Sequence, residues 1–457
     1  MECFAEDGGN AVPLVLLTAD RLAGWLESAP ECAGAWVRAN RFDAEDQTSL
    51  GLPSTSGEIE RVLVGLGSGA HLFSLGGLPK KLDPDRTYAI DGNLPGIEAT
   101  DLAIGWALGS YRFDRYRAGD PRARLVLSSV CDAARVATIA ESVCLGRDLI
   151  NTPAEDMGPA ELAAAAAELA AKCDAEFQVT VGDDLLDRNY PSIHAVGRAS
   201  HRAPRLIDIR WGAPAAPRLT LVGKGVCFDS GGLDLKTASG MKMMKKDMGG
   251  GASVLALAGM IMRLGLKVRL RVLVPAVENS VAGNAFRPLD VITTRKGITV
   301  EIGNTDAEGR VVLADALAEA SSEKPDLLID MATLTGAARV ALGPDLPAMF
   351  TNDDDLAETI ESAGAERADP VWRLPLWQAY GDLIKGEAAE ISNTGSSPYG
   401  GAITAALFLE RFVDDGIPWA HFDIMGWNLA DKPGRPQGGE PMAVRGLFAM
   451  LEDRYGR

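Results

Sequence analysis

From residue 175 onward the chain alternates short apolar runs with longer helical segments, and this pattern restricts its fold more than any other feature. The runs at 219–223, 268–277, 326–332 and 419–424 have the length and apolar content of buried strands. The segments 250–264, 311–321 and 402–413 carry helical spacing. Repeated strand, loop and helix predict an α/β fold: a central, mostly parallel sheet flanked by helices. In open sheets of this kind ligands bind beyond the carboxyl ends of the strands. The polar residues that interrupt this pattern cluster there. Lys224 closes RLTLVGKG, Thr333 closes DLLIDMATLTG, and Asp306 follows ITVEIGN.

The 457 residues exceed one ordinary domain. Residues 1–125 read as a smaller N-terminal α/β domain, with a strand at 62–67 and a helix at 97–116. Residues 126–150 read as a linking helix, its apolar spacing clearest over 131–150, and 151–457 as the larger C-terminal catalytic domain. Asn151-Thr152-Pro153 is a turn, and an alanine-rich helix follows at 159–173 with Pro159 in its first turn. VLVGLGSGA, with Gly65, Gly67 and Ala70 after a strand and Asp85 beyond, has the outline of a dinucleotide fingerprint. Gly76, Gly77 and Pro79 break the helix that phosphate binding needs, so these glycines are read as turns.

Lys and Arg total 45 against 63 for Asp and Glu, a net charge of −18, which argues against nucleic acid and anionic membranes as partners. The start, MECFAEDGGNAVPLVLL, is acidic where a signal peptide is basic, and its apolar run contains Pro13. No stretch approaches a membrane span. These features predict a cytoplasmic protein. Cys3, Cys32, Cys131, Cys144, Cys173 and Cys227 show no paired spacing and are expected as free thiols.

Three segments carry the chemistry: GKGVCFDSGGLDLK from Gly223 to Lys236, KDMGGG from Lys246 to Gly251, and NTDAEGR from Asn304 to Arg310. They place Asp229, Asp247, Asp306 and Glu308 beside apolar strands and helices. Such carboxylates, gathered and partly buried, repel one another and raise one another's pKa values. Two divalent cations balance that charge, and a two-metal hydrolytic site is the simplest arrangement that does so. The donors are oxygen-rich, and none of the four histidines falls in these segments, so Mn²⁺ and Mg²⁺ suit the site as well as Zn²⁺. Lys236 and Arg310 remain as cations able to stabilise developing negative charge. Taken singly, each acidic residue would be a surface charge or a helix cap, as Asp306 could be for a helix starting near Glu308. Their joint occurrence favours metal ligation. His421, in WAHFDIMG, reads as a core histidine.

NTDAEGR followed by VVLADAL resembles the signature of the leucine aminopeptidase (cytosol aminopeptidase) family. GKGVCFDSGG, Lys236 and KDMGGG match that family's other metal segments in order and spacing. The resemblance extends to LINTPAEDMGPAEL, ENSVAGNAFRPLDV, DMATLTGA and GGAITAALFLERFV. It implies an aminopeptidase with two divalent metal ions per subunit, Mn²⁺ or Zn²⁺ and alternatively Mg²⁺, and with bicarbonate at Arg310. Asp229 and Glu308 would bridge the ions, Asp306 would complete the tighter site, and Lys224 and Asp247 the more exchangeable one. Lys236 would polarise the scissile carbonyl. Peptides with a free N-terminus are the implied substrates, because their α-amine would bind the exchangeable ion. The family also implies a homohexamer.

By the same resemblance, Met244, Thr333, Gly336 and Met425 line the pocket for the N-terminal side chain. None is charged, which predicts apolar residues such as Leu or Met. Met425 and Asn428 fall where smaller or apolar residues often occur, and Asn428 is expected at the pocket rim. The alternatives are a dimetal phosphoesterase, a DNA-binding protein and an inactive scaffold. The complete set of site residues argues against the last, and the charge against the DNA-binding protein.

Overall fold

The structure, a computed structural model, describes residues 1–6, 9–92 and 96–456. It divides into two compact units, Met1–Cys144 with Ala430–Gln437, and Leu145–Leu429 with Gly438–Arg457.

The first unit is built on a six-stranded sheet in the order Phe4–Ala5, Arg124–Val126, Thr87–Asp91, Val12–Leu17, Ile59–Gly65, Ser49–Pro53. All neighbours are parallel except the last pair. The helix expected at 97–116 is Ala99–Gly109. It stops early because Asp114 organises the following loop, accepting from Gly119 N at 3.0 Å and pairing with Arg112 at 3.0 Å. After Ile59–Gly65 the chain turns through Gly67, whose φ of +56° suits glycine, and the next helix, Leu78–Lys81, has only four residues. No phosphate-binding helix follows the glycines. The segment Ala430–Gln437, expected within the second domain, packs in this unit instead. There Lys80 Nζ lies 2.6 Å from Asp431 Oδ2, and the Arg435 guanidinium covers the Phe73 ring at 5.1 Å.

The linking helix is Ala133–Asn151 rather than 126–150. Val126 ends a strand, and the Asp132 carboxylate accepts from Arg135 N at 2.9 Å, which fixes the helix start.

The second unit contains a nine-stranded sheet whose centre is parallel: Trp419–Asp423, Leu327–Ala332, Arg218–Gly223, Arg269–Asn279. Gly225–Asp229 extends the last of these in parallel. Antiparallel strands join at both sides, Ala348–Thr351 on one and Arg205–Trp211 with Glu176–Val181 on the other. Helices Gly249–Leu264, Glu308–Ser322 and Gly401–Glu410 pack against the sheet or one another. Val222, Leu273, Val311, Val312, Leu328, Phe408 and Trp419 belong to one buried core. Each such side chain contributes about 1.5–3 kcal/mol on burial, so the strand ends rest on a stiff platform.

Candidate metal centre

The centre lies at the carboxyl ends of the parallel strands. Lys224 follows Arg218–Gly223, Asp229 ends Gly225–Asp229, Thr333 follows Leu327–Ala332, and Asp423 ends Trp419–Asp423. Asp247 sits in the short helical turn Met244–Met248, and Glu308 opens the helix Glu308–Ser322. Asp306 does not cap that helix, whose N-cap is Ala307.

One carboxylate oxygen each from Asp229, Asp306 and Glu308 fall within 4.8 Å of one another. Lys224 Nζ lies 2.7 Å from Asp247 Oδ2 and 2.8 Å from Glu308 Oε1, and donates to Thr333 O at 3.1 Å. Lys236 Nζ lies 2.8 Å from Asp229 Oδ2 and also pairs with Asp306 Oδ1. Close as these charges are, Asp247 Oδ2, Asp306 Oδ1 and Glu308 Oε1 are buried and accept no hydrogen bond. The ammonium groups of Lys224 and Lys236 stand beside them as ion-pair partners. Buried carboxylate oxygens of Asp229, Asp306 and Glu308 gathered within reach of one point fit a divalent cation, which demands lone pairs and no hydrogen.

The electrostatics agree. Burial, with the charge of Asp247, pushes Asp229 up to about 6. Burial and the Asp229 charge push Glu308 well above the usual carboxylate range. Burial also acts to raise Asp247, but Lys224 and Lys246 together hold it below the ordinary value. Burial works against the Lys224 ammonium, yet the charges of Asp247, Glu308 and Asp229 overcome it and raise its pKa. Ligation by a neutral Lys224 amine therefore requires a cation to take over the charge its proton supplies. Arg310 is 8% exposed, and burial lowers it to about 10 against the opposing charges of Asp423 and Glu308. Its Nε has no hydrogen-bond partner.

Two glycine features make the packing possible. A Cβ on Gly309 would stand 2.6 Å from Lys224 Nζ. Gly231 and Gly232 have φ of +88° and +66°, which turns the chain so that Gly231 N donates to Asp229 Oδ1 at 2.9 Å.

Of the four expected pocket residues, Thr333 is buried and its hydroxyl donates to Asp247 Oδ1 at 2.8 Å. Met244 opens the turn that carries Asp247, Gly336 begins the helix Gly336–Leu342, and Met425 follows Trp419–Asp423. Asn428 is not at a rim: it is 2% exposed and donates to Glu440 Oε2 at 2.8 Å, within a buried network that includes Arg147. His421 is a core residue, its Nδ1 2.6 Å from Asp330 Oδ1 and its ring between Phe350 and Trp419.

With this geometry described, comparison with known proteins is decisive. The description "Cytosol aminopeptidase family, catalytic domain" matches residues 144–448. This chain belongs to the cytosol aminopeptidase family. It is accordingly a metal-dependent aminopeptidase, a metallo-exopeptidase of the hydrolase class. The aminopeptidase N-terminal domain of the same family matches residues 12–128. A solved cytosol aminopeptidase from Coxiella burnetii is 48% identical, with a TM-score of 0.96 and full coverage of both chains. The bottromycin maturation enzyme BotP, solved in complex with Mn, is 36% identical, with a TM-score of 0.88 over 97% of this chain and 99% of that one. A probable cytosol aminopeptidase of Methylobacterium radiotolerans is 38% identical over 100% of this chain and 97% of the relative.

Several residues that support this aminopeptidase centre escape a reading of the sequence. Asn279 Nδ2 donates to Asp229 Oδ1 at 2.9 Å and to Thr305 O at 3.0 Å. Asp234 and Thr305 bond reciprocally, Asp234 N to Thr305 Oγ1 and Thr305 N to Asp234 Oδ2, each at 2.8 Å. Asn393, 0% exposed, accepts from Gly303 N and Asn304 N and donates to Asn304 O and Ala307 O. Asn279 and Asp234 at least lie in or beside the matched segments. Asn393 is a single amide in a polar stretch with no motif to mark it.

Proposed function

We propose that the centre holds two divalent ions, Mn²⁺ or Zn²⁺ with Mg²⁺ as the alternative, and releases the N-terminal residue of peptides. The observation that carries this reading is the set of buried carboxylate oxygens of Asp247, Asp306 and Glu308 that accept no hydrogen bond. Asp229 and Glu308 would serve both ions, Asp306 one of them, and Lys224 with Asp247 the other. The Mn complex of the related BotP supports manganese. When bound, the ions supply Lewis acidity for activating water and carbonyl, and a bicarbonate at Arg310 supplies a general base.

The chain's own groups do the rest. Lys236 pairs with Asp229 and Asp306, where Lys224 pairs with Asp247 and Glu308, and is assigned to polarise the scissile carbonyl and hold the developing oxyanion. Arg310, a buried cation without a bonded partner at Nε, offers a bidentate seat for a planar oxyanion. Thr333 and Asn279 fix Asp247 and Asp229, so the reacting groups need little reorganisation. Met244, Thr333, Gly336 and Met425 line the side-chain pocket. The family relationship also supports a homohexamer, and the relatives' names support a cytoplasmic location. No helix among the described residues is long and apolar enough to cross a membrane.

The test is hydrolysis of aminoacyl-p-nitroanilides by chelated protein with Mn²⁺, Zn²⁺ or Mg²⁺ added back, beside p-nitrophenyl phosphate. Restored release of the amino acid supports the reading. Release of phosphate, or full activity in stripped protein, overturns it. Sedimentation at micromolar concentration tests the hexamer, and a monomer excludes it.

A further inference from the structure

Lys246 differs from the other lysines of the centre. It is 2% exposed and its Nζ makes no hydrogen bond. The charges that act on it are those of Asp247, Arg339, Lys224 and Asp423. The two carboxylates are engaged elsewhere. Asp247 is held by Lys224 and Thr333, and Asp423 by the backbone N–H groups of Leu334 and Thr335 and by the Thr335 hydroxyl. Arg339 is a second cation, and among the described residues it forms no ion pair or side-chain hydrogen bond. A buried ammonium facing another cation, with no acceptor, is costly unless an anion comes between them.

Gly336 is exposed, Arg339 half-buried and Lys246 buried. A methyl group on Gly336 would stand 3.7 Å from Arg339 Nη2. Lys246 shares the turn Met244–Met248 with Met244, and the next residue is Asp247. A Cβ on Gly426, the residue after Met425, would stand 3.0 Å from Thr333 Cγ2 and 3.6 Å from Lys246 O, so Lys246 adjoins both the reaction centre and the residues assigned to the side-chain pocket. The expectation of apolar substrates rests on Met244, Thr333, Gly336 and Met425 and does not include Lys246.

We propose that Lys246, seconded by Arg339, reads a carboxylate on the substrate's N-terminal side chain, so that Glu or Asp is taken in preference to its amide. This rests on the side-chain pocket assigned above. A free inorganic anion has the same chemistry, and the experiment separates the two.

Glu and Gln differ in charge and hardly in shape, so kcat/KM for their p-nitroanilides isolates the cation's contribution. The metal-loaded wild type is compared with Lys246→Met and Arg339→Gln. Glu should exceed Gln by about tenfold or more in the wild type, and Lys246→Met should bring the ratio to near one, with Arg339→Gln in between. A ratio near one in the wild type, or one that Lys246→Met leaves unchanged, overturns the proposal while the aminopeptidase reading stands. Calorimetric titration with free glutamate and glutamine provides a readout independent of turnover. Glutamate binding that is lost in Lys246→Met supports the proposal even where no anilide is cleaved, a result that would count against the aminopeptidase reading alone. Stabilisation of the wild type by inorganic phosphate, absent in Lys246→Met and joined to a flat Glu/Gln ratio, assigns the site to a free anion and overturns the side-chain reading. Should Lys246→Met fail to fold, the half-exposed Arg339→Gln decides by the same ratio.

Discussion

The two units of this chain use the same construction to different ends. Both are sheets with parallel strands at their centre and helices packed alongside. In the first, the loop after Ile59–Gly65 is a glycine turn, and the charges of Lys80 and Asp431 meet in water at 62% and 57% exposure. In the second, the equivalent strand ends carry Lys224 with Asp247 at 3% and 4% and Glu308 at 1%. A doubly wound sheet provides a crevice. Chemistry needs charge held there at a cost that only a ligand relieves.

The hardest test of that contrast is Glu308→Ala. It should remove nearly all activity and weaken metal retention by atomic absorption, with Asp229→Ala close behind and Asp247→Ala, which the proposal assigns to one ion alone, less severe. Two retained ions with unchanged turnover would break the comparison outright. Lys236→Ala should lower kcat by on the order of 10² or more, and Arg310→Ala by less, since bulk bicarbonate or water partly substitutes. An unchanged kcat in the lysine variant removes that residue from the mechanism. Asn393→Ala sharpens the contrast, because it touches only the support. It should cost about 1–3 kcal/mol in denaturant unfolding and lower metal affinity by about 10–100-fold. Unaltered stability and metal binding would mean that the loop holds itself. At the small end, Lys80→Ala should change stability by about 0–1 kcal/mol and leave kcat alone. A drop in kcat there would show that the exposed charges of the first unit serve the reaction.

What the sequence discloses follows from how local the determinants are. The runs 219–223 and 326–332 lie within a residue of the observed strands because consecutive buried residues dictate them. Asp306 and Glu308 were legible because they stand two apart in one motif. The antiparallel strands Arg205–Trp211 and Glu176–Val181 escape notice, since their half-exposed faces alternate like many loops. Asn428 misleads because its partner, Glu440, lies twelve residues on and gives no local sign. Lys246 heads the KDMGGG segment with no role of its own in the sequence, and only the fold around it shows that the ammonium is buried. The placement of Ala430–Gln437 in the first unit is likewise a long-range choice, made by groups such as Lys80, 351 residues away.

Asn393 has a consequence for the life of the chain as it is made. It clasps the Asp306 loop from 90 residues downstream, and Trp419–Asp423 comes later still. Translation at roughly 5–20 residues per second separates Asp229 from Asn393 by roughly ten to thirty seconds. Throughout that interval the emerging polypeptide carries its acidic residues without the clasp that sets them. A site assembled in this order stays incomplete until its last supporting strand, Trp419–Asp423, has been made.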